Sequence, residues 1–311
     1  MFDIVLKSID SSKIPNEGSF LQTPFWGEFK SRHGWCYKRF FVQAKFNKDF
    51  ANQLENEGCE KGKGESTKDE FILESEMSIL VRTFCKGLLS IAYVPLFPKL
   101  LFKCTDENVI EAAFNDDSLS VISEQIVTPE TQSIEFANFI ADLSISLKKF
   151  LPKNTIAIRF DPNVDFDSIE ARDAFNYGLK MISYADRLKL SKNKVDIQPP
   201  DTTVINLLQS EDEILANMHQ KWRYNIRLSA KKGVEIKKYS KDSPQISQKL
   251  DKFYELTKIT NQRDGNASHS KSYYFDLITS SFSENQKDSG PFINLYIAEH
   301  DGEEIASIMT L

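Results

Sequence analysis

Between the apolar runs GLLSIAYVPLF and NTIAIRFDPNV lies the segment QSIEFANFIADLSISLKKFLP, whose apolar residues fall at Ile134, Phe136, Phe139, Ile140, Leu143 and Leu147. That spacing draws one stripe along an amphipathic helix, while the runs on either side read as strands. Lys148 and Lys149 suit the negative pole of the helix end. A strand, a helix and a strand in succession point to an α/β domain, in which the helix hides its stripe against the sheet.

The rest of the chain is read against that unit. Val5–Ser8 reads as a short opening strand. Pro24 precedes FWGEFKSRHGW, where Phe25 and Phe29, and Trp26 and Lys30, stand four apart as on a helix, and Gly34 is placed to end it. CYKRFFVQAKF, FILESEMSILVRT and GLLSIAYVPLF are strands, the last closed by Pro95 and Pro98. Residues 47–70 are polar and rich in both charge signs, which predicts a flexible hairpin insertion. Around Pro199-Pro200 the pattern breaks and suggests a domain boundary, with 1–196 before it and 197–311 after it. Thr203–Leu208 is expected to open a new strand. Ser210 with Glu213 forms a capping box at the head of a helix. Then come a strand (GVEIKKY), two helices (SQKLDKFYELTKITNQRDG and SYYFDLITSSF), and a hairpin turning at Asp301-Gly302.

Composition excludes several classes. A net charge of −6 over 311 residues argues against a general nucleic-acid coat. No basic stretch followed by a long apolar run opens the chain, so no signal peptide is expected. The most apolar region, Ser78–Phe102, is interrupted by Arg82, Lys86 and two prolines, so it reads as buried strands and no membrane insertion is expected. The four cysteines have no zinc spacing and the four histidines no ligand pattern, so no metal is expected and a reduced, cytoplasmic setting is the simplest. Loops for nucleotide phosphates and the serine-hydrolase elbow are absent.

The strongest local feature is MHQKWRYNIRLSAKKGVEIKK, with seven lysines or arginines against one acid, Glu235. On a continuous helix Met218, Trp222, Ile226 and Ala230 would form an apolar stripe that buries. Arg223, Arg227 and Lys231 would form a basic stripe beside it. A solvated basic face is one reading; the other is recognition of phosphate, whose oxygens a guanidinium fork holds in pairs.

Several segments, in this order, resemble the Fem family of peptidoglycan-bridge aminoacyltransferases: QTPFWGEFKSRHGW, YVPLFP, IRFDPNV, IQPPDTTVINL, MHQKWRYNIRLSAKKGVEI, FYELTKITNQRDG with SYYFDLI, and YIAEHDGEEIASIM. The resemblance runs from about Gln22 to the end. It implies an α/β (α+β) fold of two N-acetyltransferase-like domains with mixed sheets flanked by helices. The second domain is expected to be incomplete, because family members continue past the final hairpin. The implied reaction moves an amino acid from aminoacyl-tRNA to the stem peptide of a peptidoglycan precursor, lipid II or UDP-MurNAc-pentapeptide, without a cofactor. Peripheral contact with the inner membrane face would accompany a lipid-linked substrate.

Residue by residue, Lys30 matches the family lysine that contacts precursor phosphate, and Tyr274 a tyrosine of the same cleft. The arginine that accompanies that tyrosine has no counterpart, with Lys271 or His269 as candidates to replace it. IRFDPNV is similar to a buried strand whose Asp161 has a structural role. Trp26 and Trp35 are expected to pack the first helix so that Lys30 faces the cleft. Arg223 and Arg227, from the charge stripe, are candidates for phosphate or tRNA contact. The alternative, from a different class, is a non-catalytic binding protein of the same fold that grips a phosphorylated ligand or tRNA. An acetyl-CoA-dependent transferase is disfavoured, since no Q/R-x-x-G-x-G/A loop is found.

Overall fold

A computed structural model describes residues 2–9, 19–46, 71–96, 101–103, 129–162, scattered positions from 169 to 199, 203, 205–283 and 290–311. The 47–70 segment lies outside the described residues. The chain packs as two compact units, residues 1–198 and 199–311.

The first unit is built on a six-stranded sheet. Strand β1 (Phe2–Ser8) is followed by a 3-10 turn (Phe20–Gln22) and helix α1 (Pro24–Arg32). Next come β2 (Cys36–Phe46), β3 (Phe71–Phe84), β4 (Leu89–Val94) and β5 (Leu101–Lys103). Helix α2 (Pro129–Lys148) and strand β6 (Thr155–Phe160) complete it. The strand order is β1-β2-β3-β4-β6, with β5 on β3. The first four strands pair antiparallel, and β4 with β6 is parallel. A parallel pair needs a long crossover, and α2 supplies it.

Side chains alternate across the pleat, so each strand serves both faces of the sheet. Phe40, Val42, Met77, Ile79 and Val81 line the face that meets Phe139, Ile140, Leu143 and Leu147 of α2. Burying each such side chain contributes roughly 1.5–3 kcal/mol. The opposite parity, Tyr37, Ser78 and Leu80, belongs to the other face, where α1 packs on β2 and β3. Among the described residues β6 is the outer strand of the sheet: Ile158 and Phe160 pack against the core while Ile156 is 60% exposed.

The second unit holds a three-stranded antiparallel sheet, β7 (Glu235–Tyr239), β8 (Asn294–His300) and β9 (Glu303–Thr310), in that order. Before it come helices α3 (Glu211–Asn217) and α4 (Gln220–Lys231), and between β7 and β8 lie α5 (Ile246–Asp264) and α6 (Lys271–Ser280). The capping box at Ser210 is present in full. The β8–β9 turn uses positive φ at Asp301 and Gly302, which matches the strand twist. Helix α5 lies against β8 and β9, and Leu250 and Phe253 of the helix, like Leu295 and Ile297 of β8, are buried. Lys249 on α5 bridges Glu299 and Glu304 across the hairpin.

Two expectations fail here. At Thr203–Leu208 the described residues form no strand: Asn206 Oδ1 accepts from Leu208 N at 2.9 Å and curls the chain into a turn, leaving Leu207 and Leu208 exposed. Nor does one helix run through Met218. Met218 is extended (ψ 152°), and His219 caps a new helix, its Nδ1 accepting from Lys221 N.

Candidate functional site

Lys30 is held by a helix fixed at both ends and along its length. Thr23 Oγ1 accepts from Trp26 N at 3.3 Å and Pro24 begins the first turn. Beyond His33, Gly34 has φ +84°, so the chain reverses as expected. Phe29 is fully buried. At Gly27 a Cβ would stand 2.2 Å from the Tyr37 ring, so only glycine lets the helix backbone come this near the sheet. Just before the helix, buried Gln22 donates to Pro95 O, while its Oε1 accepts from Ser78 N at 2.6 Å. One side chain thereby ties the helix entry to β3 and to the end of β4.

From this platform the Lys30 ammonium lies 5.3 Å from the Trp26 ring centroid and 5.6 Å from that of Trp35. The guanidinium of Arg82, from the end of β3, lies 5.6 Å from the same Trp35 ring. Burial first, and the Arg82 charge second, hold the Lys30 pKa below its ordinary value. Trp26 packs on Phe20 and Phe29, both at 5.4 Å, and Trp35 lies 6.4 Å from Tyr93.

Asp161 stands beyond the end of β6. It accepts from Tyr93 Oη at 2.8 Å and from Arg159 Nε at 3.1 Å. Tyr93 Oη also accepts from Gln198 Nε2 at 3.1 Å, and Arg159 Nη2 donates to Val195 O at 2.7 Å. The Tyr93 pKa is raised, mainly by burial, so the phenol stays protonated and able to donate. The network fastens β6 and residues 195–198 to β4.

In the second unit, Gly265 (φ +69°) ends α5 and α6 begins after Ser270. The rings of His269 and Tyr273 stack at 3.9 Å, and Tyr274 meets Phe253 edge-on at 5.2 Å with Tyr254 at 6.4 Å. Burial raises the Tyr274 pKa against a hydrogen bond from the His269 backbone, with Tyr254 adding to the rise. Burial also pushes Tyr273 up to about 12. Lys271 is ion-paired with Asp251, and Lys258 lies 4.7 Å from the Tyr254 ring. Tyr274, Lys271 and His269 are thus near neighbours on one helix start.

Helix α4 departs from expectation. None of its residues is buried, and Trp222 is 66% and Ile226 44% exposed, so the stripe expected to bury is open. The break at Met218 removes the stripe's first member from the helix. Arg223 Nη1 donates to Ala216 O and Met218 O, both at 2.7 Å, which caps the carbonyl end of α3. Arg227 is exposed.

Sequence reasoning passed over Arg82 and Tyr93. In the sequence Arg82 stands out only as an interruption of an apolar run; a cation kept at a strand end, with a tryptophan-bearing helix elsewhere in the chain, is the signal that was available. Among the described residues, no group of three or more His, Cys, Asp or Glu could hold a metal ion.

A model described as the FemAB family matches residues 131–287. Over 144 residues, 46% of this chain and 32% of the relative, the sequence is 29% identical to the lipid II:glycine glycyltransferase of Staphylococcus aureus (strain COL). Over 126 residues, 40% of this chain and 28% of the relative, it is 31% identical to the protein of that name from Staphylococcus haemolyticus (strain JCSC1435). The alignments span about a third of the length of these relatives. A structure titled "Crystal structure of FemX" shares the fold with TM-score 0.51 and 20% identity, over 96% of this chain and 58% of that one. The fold is mixed α/β, and this likeness fits acetyltransferase-like domains.

Proposed function

This chain belongs to the FemAB family, and from that premise we propose that it transfers an amino acid from aminoacyl-tRNA to the stem peptide of a peptidoglycan precursor, lipid II or UDP-MurNAc-pentapeptide, to build a cross-bridge. The observation that carries the reading is the Lys30 ammonium 5.3 and 5.6 Å from two indole rings, on a helix that packing fixes. A cation so placed suits precursor phosphate, and the relatives are named for transfer to lipid II.

The reaction is aminolysis of an ester. The acceptor amine attacks the aminoacyl carbonyl, a C–N bond forms and the C–O bond to the tRNA ribose breaks. The amine loses a proton and the ribose oxygen gains one, so no oxidant and no nucleotide hydrolysis is needed. The protein contributes by aligning the two substrates and by placing donors near developing negative charge. In the first unit Lys30 holds precursor phosphate; in the second, Tyr274, with Lys271 and His269 beside it, is a substrate-binding group in its own right. Arg223 and Arg227 serve phosphate or tRNA from α4, and Trp26 and Asp161 keep the first unit in shape. The site of action is the cytoplasm, with peripheral contact at the inner membrane face for a lipid-linked acceptor. Among the described residues, no helix is long and apolar enough to cross a membrane.

The test is incubation with charged tRNA and muropeptide precursor, followed by mass spectrometry of the precursor. A gain of one amino-acid residue supports transfer. A precursor that binds but stays unchanged supports the alternative, a binding protein without turnover.

A further inference from the structure

We infer that Arg82 is a second substrate-holding cation of the Lys30 site, and that the two together grip a diphosphate. The inference rests on the precursor reading above and adds a residue to it. Lys30 and Arg82 come from different elements, α1 and β3, yet each stands 5.6 Å from the centroid of the Trp35 ring. Sharing one indole bounds their separation at twice that distance. Neither position is an accident of a floppy segment. Arg82 is paired with Ile91 of β4 and follows buried Val81, while Lys30 sits one residue after fully buried Phe29.

Two like charges brought together repel, and partial burial of the lysine adds to the penalty. The indole faces offset part of it, since an aromatic ring attracts a cation over its face. A ligand with negative charge on two linked phosphates would offset it further. An ammonium serves as a point charge for one phosphate, and a guanidinium presents a planar fork to the oxygens of the next. Arg82 is exposed and accessible to such a ligand. If its task were only to brace Trp35, affinity for a phosphate ligand would not depend on its charge.

The experiment is calorimetric titration of the full chain with inorganic pyrophosphate and, separately, orthophosphate. The proteins are the parent, Arg82→Gln, Arg82→Lys, Lys30→Gln and the double Gln variant. The parent should prefer pyrophosphate. Each single Gln variant should lose about tenfold or more in affinity, and Arg82→Lys should fall between parent and Arg82→Gln. In the double variant, the Arg82 change should cost less than it does alone, because both side chains hold one anion. Circular dichroism confirms that each variant is folded; Arg82→Lys keeps the test open should Arg82→Gln fail to fold. Unchanged pyrophosphate affinity in Arg82→Gln, equal affinity for the two anions, or no binding by the parent overturns the two-cation grip. The transfer assay above is independent of it, so a positive mass gain with an inert Arg82→Gln change would sink this inference and leave the precursor reading standing.

Discussion

Helices α1 and α4 carry nearly the same vocabulary, a tryptophan with a lysine or arginine at helical spacing, and they end in opposite conditions. In α1 one side is locked: Phe29 is fully buried, Gly27 lies against Tyr37, and Gln22 clasps two strands at the entry. In α4 no residue is buried, and the apolar residues of its stripe face outward. Amphipathic spacing says which residues share a side of a helix; it does not say whether another element covers that side. The difference lies in the partner: α1 has a sheet face built to its shape, with a glycine at the closest approach. The contrast also grades the candidate residues, because a cation on a locked helix has a defined position and one on an open helix shares whatever freedom the helix has.

Four measurements can break or sharpen this contrast, taken from the largest expected effect down. Phe29→Ala should destabilise the first unit by about 3–5 kcal/mol, as full removal of a buried aromatic does; denaturant unfolding reads it, and a change under 1 kcal/mol would mean α1 is no better anchored than α4. Gly27→Ala should destabilise by about 1–3 kcal/mol through overpacking on the Tyr37 ring, with Tyr37→Ala in the same chain restoring part of the loss. Trp222→Ala, by contrast, should stay within about 0.5 kcal/mol of the parent, as substitutions on open surface do. A larger loss would show that α4 is covered in solution.

The fourth measurement is a pH profile. Lys30 has a lowered pKa in the folded chain, so between that value and its ordinary 10.5 the folded state binds fewer protons than the unfolded one. Stability should therefore rise with pH across that window, while phosphate binding, which needs the ammonium, should fall. In Arg82→Gln the fall in residual binding should move to higher pH, since a repelling neighbour has gone. A midpoint that does not move would separate the two cations.

Much of this was legible from sequence where the cause is local. The capping box at Ser210, the glycine stop at Gly34 and the Asp301-Gly302 turn each depend on a few adjacent residues. What sequence could not supply was cover and company. The run TIAIRF reads the same on an inner or an outer strand, and only the pairing shows that, among the described residues, it lies beside β4 alone. The break at Met218 is reinforced by Arg223 reaching back to the carbonyls of α3, a side-chain bond that periodicity does not encode. Thr203–Leu208 carried a strand's apolar content and an asparagine that turned it. At the candidate site, Lys30 was accessible through resemblance, whereas Arg82 became visible only when strand pairing brought β3 beside the indole that follows α1.

Seating two cations on one indole has an optical consequence. The chain has three tryptophans, and Trp35 alone touches both Lys30 and Arg82. An anion arriving there changes the field across that ring, so its emission should shift in colour and intensity with occupancy. With Trp222, the most exposed of the three, replaced by phenylalanine to lower the background, the protein should serve as its own label-free sensor for the proposed diphosphate.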